Sequence, residues 1–253
     1  MIATASVTLM MAATGAAIGV VGGLFGIGGG VVAIPVLGLA FGLHQQVAQG
    51  TALVMVVPNV WFAFYRYRQR FGLDLRMAAT LAGAAVVITY PVARLATALD
   101  PHDLRLAFCG FLVLLSGVVA WRTLRGGTDG PHRRPLAWGW TAVVGLLGGS
   151  VSGLFGVGGA FIVPPALTTF FGVRQVAAQG LALALVCPGT AIAFATYAGA
   201  GQVDWRLGLP LAAGGIAAVS IGVGLAHRVP ERHLRLAFCA LLSVTAVILA
   251  LRA

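Results

Sequence analysis

Apolar residues run along this chain in long blocks separated by short polar or glycine-rich breaks. In the first half they predict segments at about 5–25, 31–43, 46–66, 75–97 and 103–122. In the second half matching blocks fall at about 136–155, 161–173, 176–198, 206–226 and 233–251. A helix rises about 1.5 Å per residue, and about 20 apolar residues cross a hydrocarbon core of about 30 Å. The long blocks therefore read as membrane spans. The block at 31–43 reaches only about 20 Å and does not cross alone.

The two halves are copies of one unit. GLFGIGG at Gly23–Gly29 recurs as GLFGVGG at Gly153–Gly159, and LRLAFC at Leu104–Cys109 recurs at Leu234–Cys239. The same shift pairs Pro35 with Pro165, Gln49 with Gln179, Pro58 with Pro188 and Asp74 with Asp204. A duplication is thus expected, with a first membrane repeat at 1–122, a linker at 123–135 and a second repeat at 136–253. The linker carries Gly126, Gly127, Gly130 and Pro131. The fold class that follows is an all-α polytopic membrane protein. Each repeat is a re-entrant or broken helical hairpin followed by three transmembrane helices. A hairpin returns to its starting side and makes the repeats inverted; a broken helix makes them parallel. With Arg66–Arg76 and Arg122–Arg134 on the cytoplasmic side, the inverted arrangement keeps more arginines inside. It puts both termini outside.

Composition narrows the class further. Hydrophobic residues are 59% of 253, and charged residues only 9%, against about 25% in soluble domains. A soluble enzyme and a disordered tail are excluded. The net charge of +10 does not point to nucleic acid. All sixteen basic residues are arginine and sit at the ends of apolar runs, which is the positive-inside pattern rather than a basic binding face. Cys109, Cys187 and Cys239 lie in apolar stretches without CxxC spacing and read as buried small hydrophobes. No cofactor or metal is expected. Met1–Thr14 has no basic leading region and reads as part of an uncleaved first span.

Two kinds of glycine stand out. Gly15, Gly19 and Gly23, matched by Gly145, Gly149 and Gly153, recur every fourth residue and let membrane helices approach closely. Gly26, Gly28, Gly29 and Gly30, matched by Gly156, Gly158 and Gly159, crowd together and break a helix. Non-helical backbone inside a bilayer must be buried in protein or face a cavity. Paired breaks in repeat-built transporters put half-helix N-termini, with their free N–H groups, at an anion. These glycines, with Pro35 and Pro165, are therefore candidate substrate-binding residues. Gln49, Thr51 and Asn59 on the next segment join them, as do Gln179 and Thr190 on its partner. Uncharged donors let an anion bind and leave; the other reading is interhelical hydrogen bonding, worth about 0.6 kcal/mol each. Phe25 and Phe155, beside the breaks, are candidate gates. His44 and Arg174, at the following junctions, either gather anions or snorkel to the interface. All six acidic residues lie in loops or at segment ends, so a buried carboxylate relay is disfavoured. Asp74 and Asp204 read as helix N-caps, with coupling at a cavity mouth as the weaker role.

A resemblance follows from these motifs. GIGGGVVAIPVL at Gly26–Leu37, then QGTAL at Gln49–Leu53, resembles the sulfite exporter TauE/SafE family. GVGGAFIVPPAL at Gly156–Leu167, then QGLAL at Gln179–Leu183, looks like that family's second half. The second copy has Ala160 in place of Gly30 and Leu181 in place of Thr51, so its half is less polar. The resemblance implies a multi-pass transporter of the cell's inner membrane. Its small anionic substrate would be sulfite, another sulfur oxyanion or an organosulfonate, moved by alternating access. Proton or ion coupling and a homo-oligomer belong to the same expectation. Two alternatives stay open: an anion-selective channel built on the same glycines, and a transporter of a non-sulfur organic anion. A membrane-bound enzyme is disfavoured, because no His, Cys and carboxylate cluster falls inside the spans.

Overall fold

The structure is a computed structural model that describes residues 2–25, 29–70, 74–124, 138–159, 162–173, 175–226 and 231–251. Among these residues every regular element is helical. Helices α1 (Ile2–Phe25), α2 (Gly30–Phe41), α3 (Gln45–Arg70), α4 (Leu75–Ala98) and α5 (Pro101–Leu124) come from the first half. After one 3-10 turn at Trp138–Trp140 come α6 (Thr141–Phe155), α7 (Val163–Phe171), α8 (Gln175–Gly199), α9 (Trp205–Ala226) and α10 (Glu231–Leu251). Six of these helices are long and apolar enough to span a bilayer. The short elements α2 and α7 have 12 and 9 residues, too few to cross.

The helices follow the apolar blocks closely, because burial in lipid demands that each backbone polar group be satisfied within its own helix. Two ends differ. Helix α3 continues to Arg70, beyond the apolar block, since Arg and Gln prolong a helix well even where hydrophobicity has stopped. Helix α6 starts only at Thr141, behind the 3-10 turn. Prolines lie inside α2, α3, α4, α8 and α9, as Pro35, Pro58, Pro91, Pro188 and Pro210. Membrane helices tolerate them because neighbouring groups meet the freed carbonyls.

The chain divides into two compact units, and each draws on both halves of the sequence. One comprises Met1–Met55, Leu99–Thr128 and Gln202–Ala253. In it α1 packs along α9, and α5 along α10, with α2 beside α1. Gly15 faces the Leu211 backbone and Gly19 faces Gly215; in return Gly214 faces Ala12 and Gly222 faces Val20. No side chain fits between these backbones. The other unit comprises Val56–Ala98 and Asp129–Gly201. In it α4 packs along α6 and α8, and α7 against α8. A Cβ on Gly145 would stand 2.8 Å from the Leu81 carbonyl oxygen, and one on Gly153 2.6 Å from that of Thr89. In both units the glycine face read from the sequence is thus a helix contact, and its partner comes from the other half of the chain. Helix α4 lies on α6, and α9 on α1.

Candidate functional site

In the first unit the glycine break leads into α2. Gly29 is left-handed (φ 85°) and its carbonyl accepts from Val32 N at 3.1 Å and Ala33 N at 2.9 Å, opening the helix. Gly30 and Pro35 are buried within α2. Gly26 and Gly28 lie outside the described residues, as does the side chain of Phe25. Further on, Gln49 and Thr51 are fully buried. The Thr51 hydroxyl oxygen accepts from Asp204 N at 3.0 Å, and a side chain at Gly50 would strike the Gln202 carbonyl. The turn Gln49–Thr51 therefore seats the backbone that leads into α9. His44 is exposed at the start of α3.

In the second unit the break is described almost whole. Gly156 (φ 68°) ends α6, its N–H donating to the Ser152 carbonyl at 2.9 Å. Gly158 is also left-handed (φ 75°), and Gly159 lies against Gly148 of α6. The Gly159 carbonyl then accepts from Ile162 N at 3.1 Å, next to the start of α7. Tyr197 of α8 is fully buried and donates to the Leu154 carbonyl at 3.1 Å, holding the last turn of α6. Phe155 is buried too. Residues 156–159 are all buried, so this non-helical backbone sits inside protein, as a bilayer requires.

Polar side chains gather near this bend. The ring of contacts runs through α8. A Cβ on Gly158 would meet Val186 Cγ1 at 2.5 Å and Thr190 Cγ2 at 3.5 Å. A Cβ on Gly189 would meet Ser152 Oγ at 3.1 Å and Thr89 Oγ1 at 3.7 Å. Cys187 Sγ donates to the Val60 carbonyl at 3.6 Å, which brings the Asn59 turn of α3 beside α8. Thr89 donates to the Gly149 carbonyl at 3.0 Å, and Thr190 to the Val186 carbonyl at 2.8 Å. Both hydroxyl protons are thus spent on backbone. Ser152 Oγ and Asn59 Nδ2, by contrast, are buried and have no protein partner. An orphaned buried donor costs about 1–3 kcal/mol, so each such group calls for a partner outside the chain's own hydrogen bonds.

The remaining sequence candidates are scattered. Gln179 is exposed, although its repeat mate Gln49 is buried. Pro165 is half-buried, and its carbonyl accepts from Thr168 Oγ1 at 3.2 Å. Arg174 lies outside the described residues. Asp74 Oδ1 accepts from Arg76 N at 2.9 Å and Met77 N at 3.2 Å. Asp204 Oδ1 accepts likewise from Arg206 N and Leu207 N. Both are N-cap arrangements. The residue that sequence reading passed over is Ser152. Its signal was a hydroxyl within a face of small residues, where the first repeat has Gly22.

The family model for the sulfite exporter TauE/SafE matches residues 11–249, so it takes in both glycine breaks and nearly every helix. The chain belongs to the sulfite exporter TauE/SafE family. Its relatives agree. A probable membrane transporter protein of Xylella fastidiosa strain 9a5c is 29% identical over 223 residues, covering 85% of this chain and 83% of the relative. One from strain Temecula1 is 28% identical over 230 residues, covering 87% and 86%. A probable membrane transporter protein of Methanocaldococcus jannaschii is 24% identical over 240 residues, covering 90% and 89%. No solved structure matches the chain. This TauE/SafE member is a multi-pass membrane transporter.

Proposed function

We propose that the chain carries a small oxyanion across the membrane, a sulfur oxyanion or short organosulfonate, by alternating access. The observation that carries this reading is the pair of buried donors without protein partners, Ser152 Oγ and Asn59 Nδ2, in the unit that holds the Gly156–Gly159 bend. An oxyanion accepts from neutral hydroxyl, amide and backbone N–H groups, and those groups release it more readily than a buried arginine would. Glycine at 158 keeps this buried bend compact, its left-handed backbone packed against Val186 where a Cβ has no room. The break before α2, where Gly29 is likewise left-handed, is its counterpart in the first half of the chain. The repeats are inverted in this proposal, as the arginine placement favours, so that rocking one arrangement into the other exposes the anion to each side in turn.

Proteoliposome uptake of labelled sulfite, sulfate and a short alkanesulfonate, with and without a pH gradient, tests this. Saturable uptake of one of them is expected, at carrier rather than channel rates. Ser152→Ala and Asn59→Leu are each expected to lower kcat/KM by about tenfold or more, the value of one or two lost hydrogen bonds. Folded protein that moves none of the three anions sinks the substrate class. Wild-type kinetics in both variants sinks the site.

A further inference from the structure

A second place in the fold, in the other unit, carries donors that the proposed transport site does not use. A cleft of about 240 Å³ opens between Gly38 and Leu39 of α2, Gly42, Gln45 of α3, Arg105 of α5 and Leu249 of α10. Gln45 is the first residue of α3, a helix of 26 residues. The first hydrogen bond of α3 runs from Ala48 N to the His44 carbonyl at 2.9 Å. The N–H groups of Gln45, Gln46 and Val47 precede it, and they are the positive end of the helix. The turn is fixed in place, since Gln46 Nε2 donates to the Leu99 carbonyl at 2.8 Å.

Two side chains in the cleft wall suit an oxyanion. Gln45 is only 2% exposed, and its Nε2 is buried with no partner. Arg105 brings a fixed positive charge and a planar fork of donors. Among the described residues that line the cleft there is no carboxylate. The level in the membrane is also informative. Gln45 and Arg105 lie in the first turns of two candidate spans, Gln45–Tyr65 and Pro101–Trp121. The cleft therefore stands at the height of the lipid headgroups and the adjoining water, not in the hydrocarbon.

We propose that this cleft is a binding site for a tetrahedral oxyanion, a phosphate, sulfate or sulfonate group, held by Gln45, Arg105 and the first turn of α3. The group comes either from the headgroup of an anionic lipid or from a free solute ion. The test uses the full chain and two variants, Gln45→Glu, which is isosteric and repels an anion, and Arg105→Gln. In detergent, inorganic phosphate or sulfate is titrated against sodium chloride at matched ionic strength, and Tm is read. A saturable rise of about 2–4 °C in the wild type, absent in both variants, identifies a free-ion site. Native mass spectrometry of the protein released from nanodiscs of phosphatidylglycerol or phosphatidylcholine is the second arm. Retention of phosphatidylglycerol on the wild type, reduced at least fivefold in both variants, identifies a headgroup site. Either result supports the proposal. Arg105→Lys keeps the charge and is expected to keep binding, which covers failure of Arg105→Gln to fold. Equal behaviour of wild type and Gln45→Glu in both arms overturns it, including an equal rise in Tm from the general salting effect.

Discussion

Gly158 and Gly29 occupy equivalent bends and share a left-handed backbone, yet their surroundings differ. A Cβ at Gly158 would meet Val186 Cγ1 at 2.5 Å, on a branched side chain with little rotational freedom. A Cβ at Gly29 would meet Met55 Cε at 2.9 Å, the far end of a flexible chain. Both alanine variants carry a left-handed penalty of about 1–2 kcal/mol. Gly158→Ala adds overpacking of about 1–3 kcal/mol, so it is expected to be the less stable by at least about 1 kcal/mol, read from denaturation midpoints. Equal midpoints would show that Val186 moves aside. At this scale the sequence revealed that glycine was needed at the break. It did not reveal that Gln49 is buried while Gln179 is exposed, nor that Ser152 is left without a partner. Identity at repeat positions reports ancestry, whereas burial depends on which helix happens to cover each copy.

At the scale of elements, the apolar blocks located the helices to within a few residues, because a span in lipid has to be both continuous and apolar. The glycine faces also were legible, as every fourth residue on α1 and α6. Their partners were not. A lipid-embedded helix is apolar on all sides, so hydrophobic periodicity gives no sign of which neighbour it meets. The pairing makes a sharp contrast testable. Gly19 of α1 lies backbone to backbone against Gly215 of α9, whereas a Cβ added at Gly83 of α4 would meet nothing within 4 Å. Gly19→Val is expected to separate α1 from α9 and lose about 2 kcal/mol or more. Gly83→Ala is expected to be neutral or to gain about 0.5–1 kcal/mol from helix propensity. Thermal unfolding in one detergent compares them directly, and a stable Gly19→Val would mean that the α1–α9 contact does little for stability.

For the whole molecule, each compact unit takes helices from both halves of the chain, with α9 on α1 and α4 on α6. Neither half of the sequence is therefore a unit of packing by itself, and expression of 1–122 alone leaves α1 without α9 and α4 without α6. Membrane sidedness is the matching test of the inverted proposal. Each half makes three net crossings there, so the linker and the two termini lie on opposite faces. In a variant lacking Cys109, Cys187 and Cys239, a cysteine at position 128 is expected to react with impermeant maleimide from the cytoplasmic side only. Cysteines at either end are expected to react from the other side. Linker and termini on the same face would establish the parallel arrangement instead.

Class, span positions and family were legible in the sequence alone. Each rests on composition or on the order of residues along the chain, and the bilayer converts both directly into helices. Only the tertiary structure decided which helix fills each glycine face, which polar side chains lose every protein partner, and where a cleft brings Gln45 beside Arg105. Those are relations between residues far apart in the chain, set by close packing of backbones rather than by hydrophobicity.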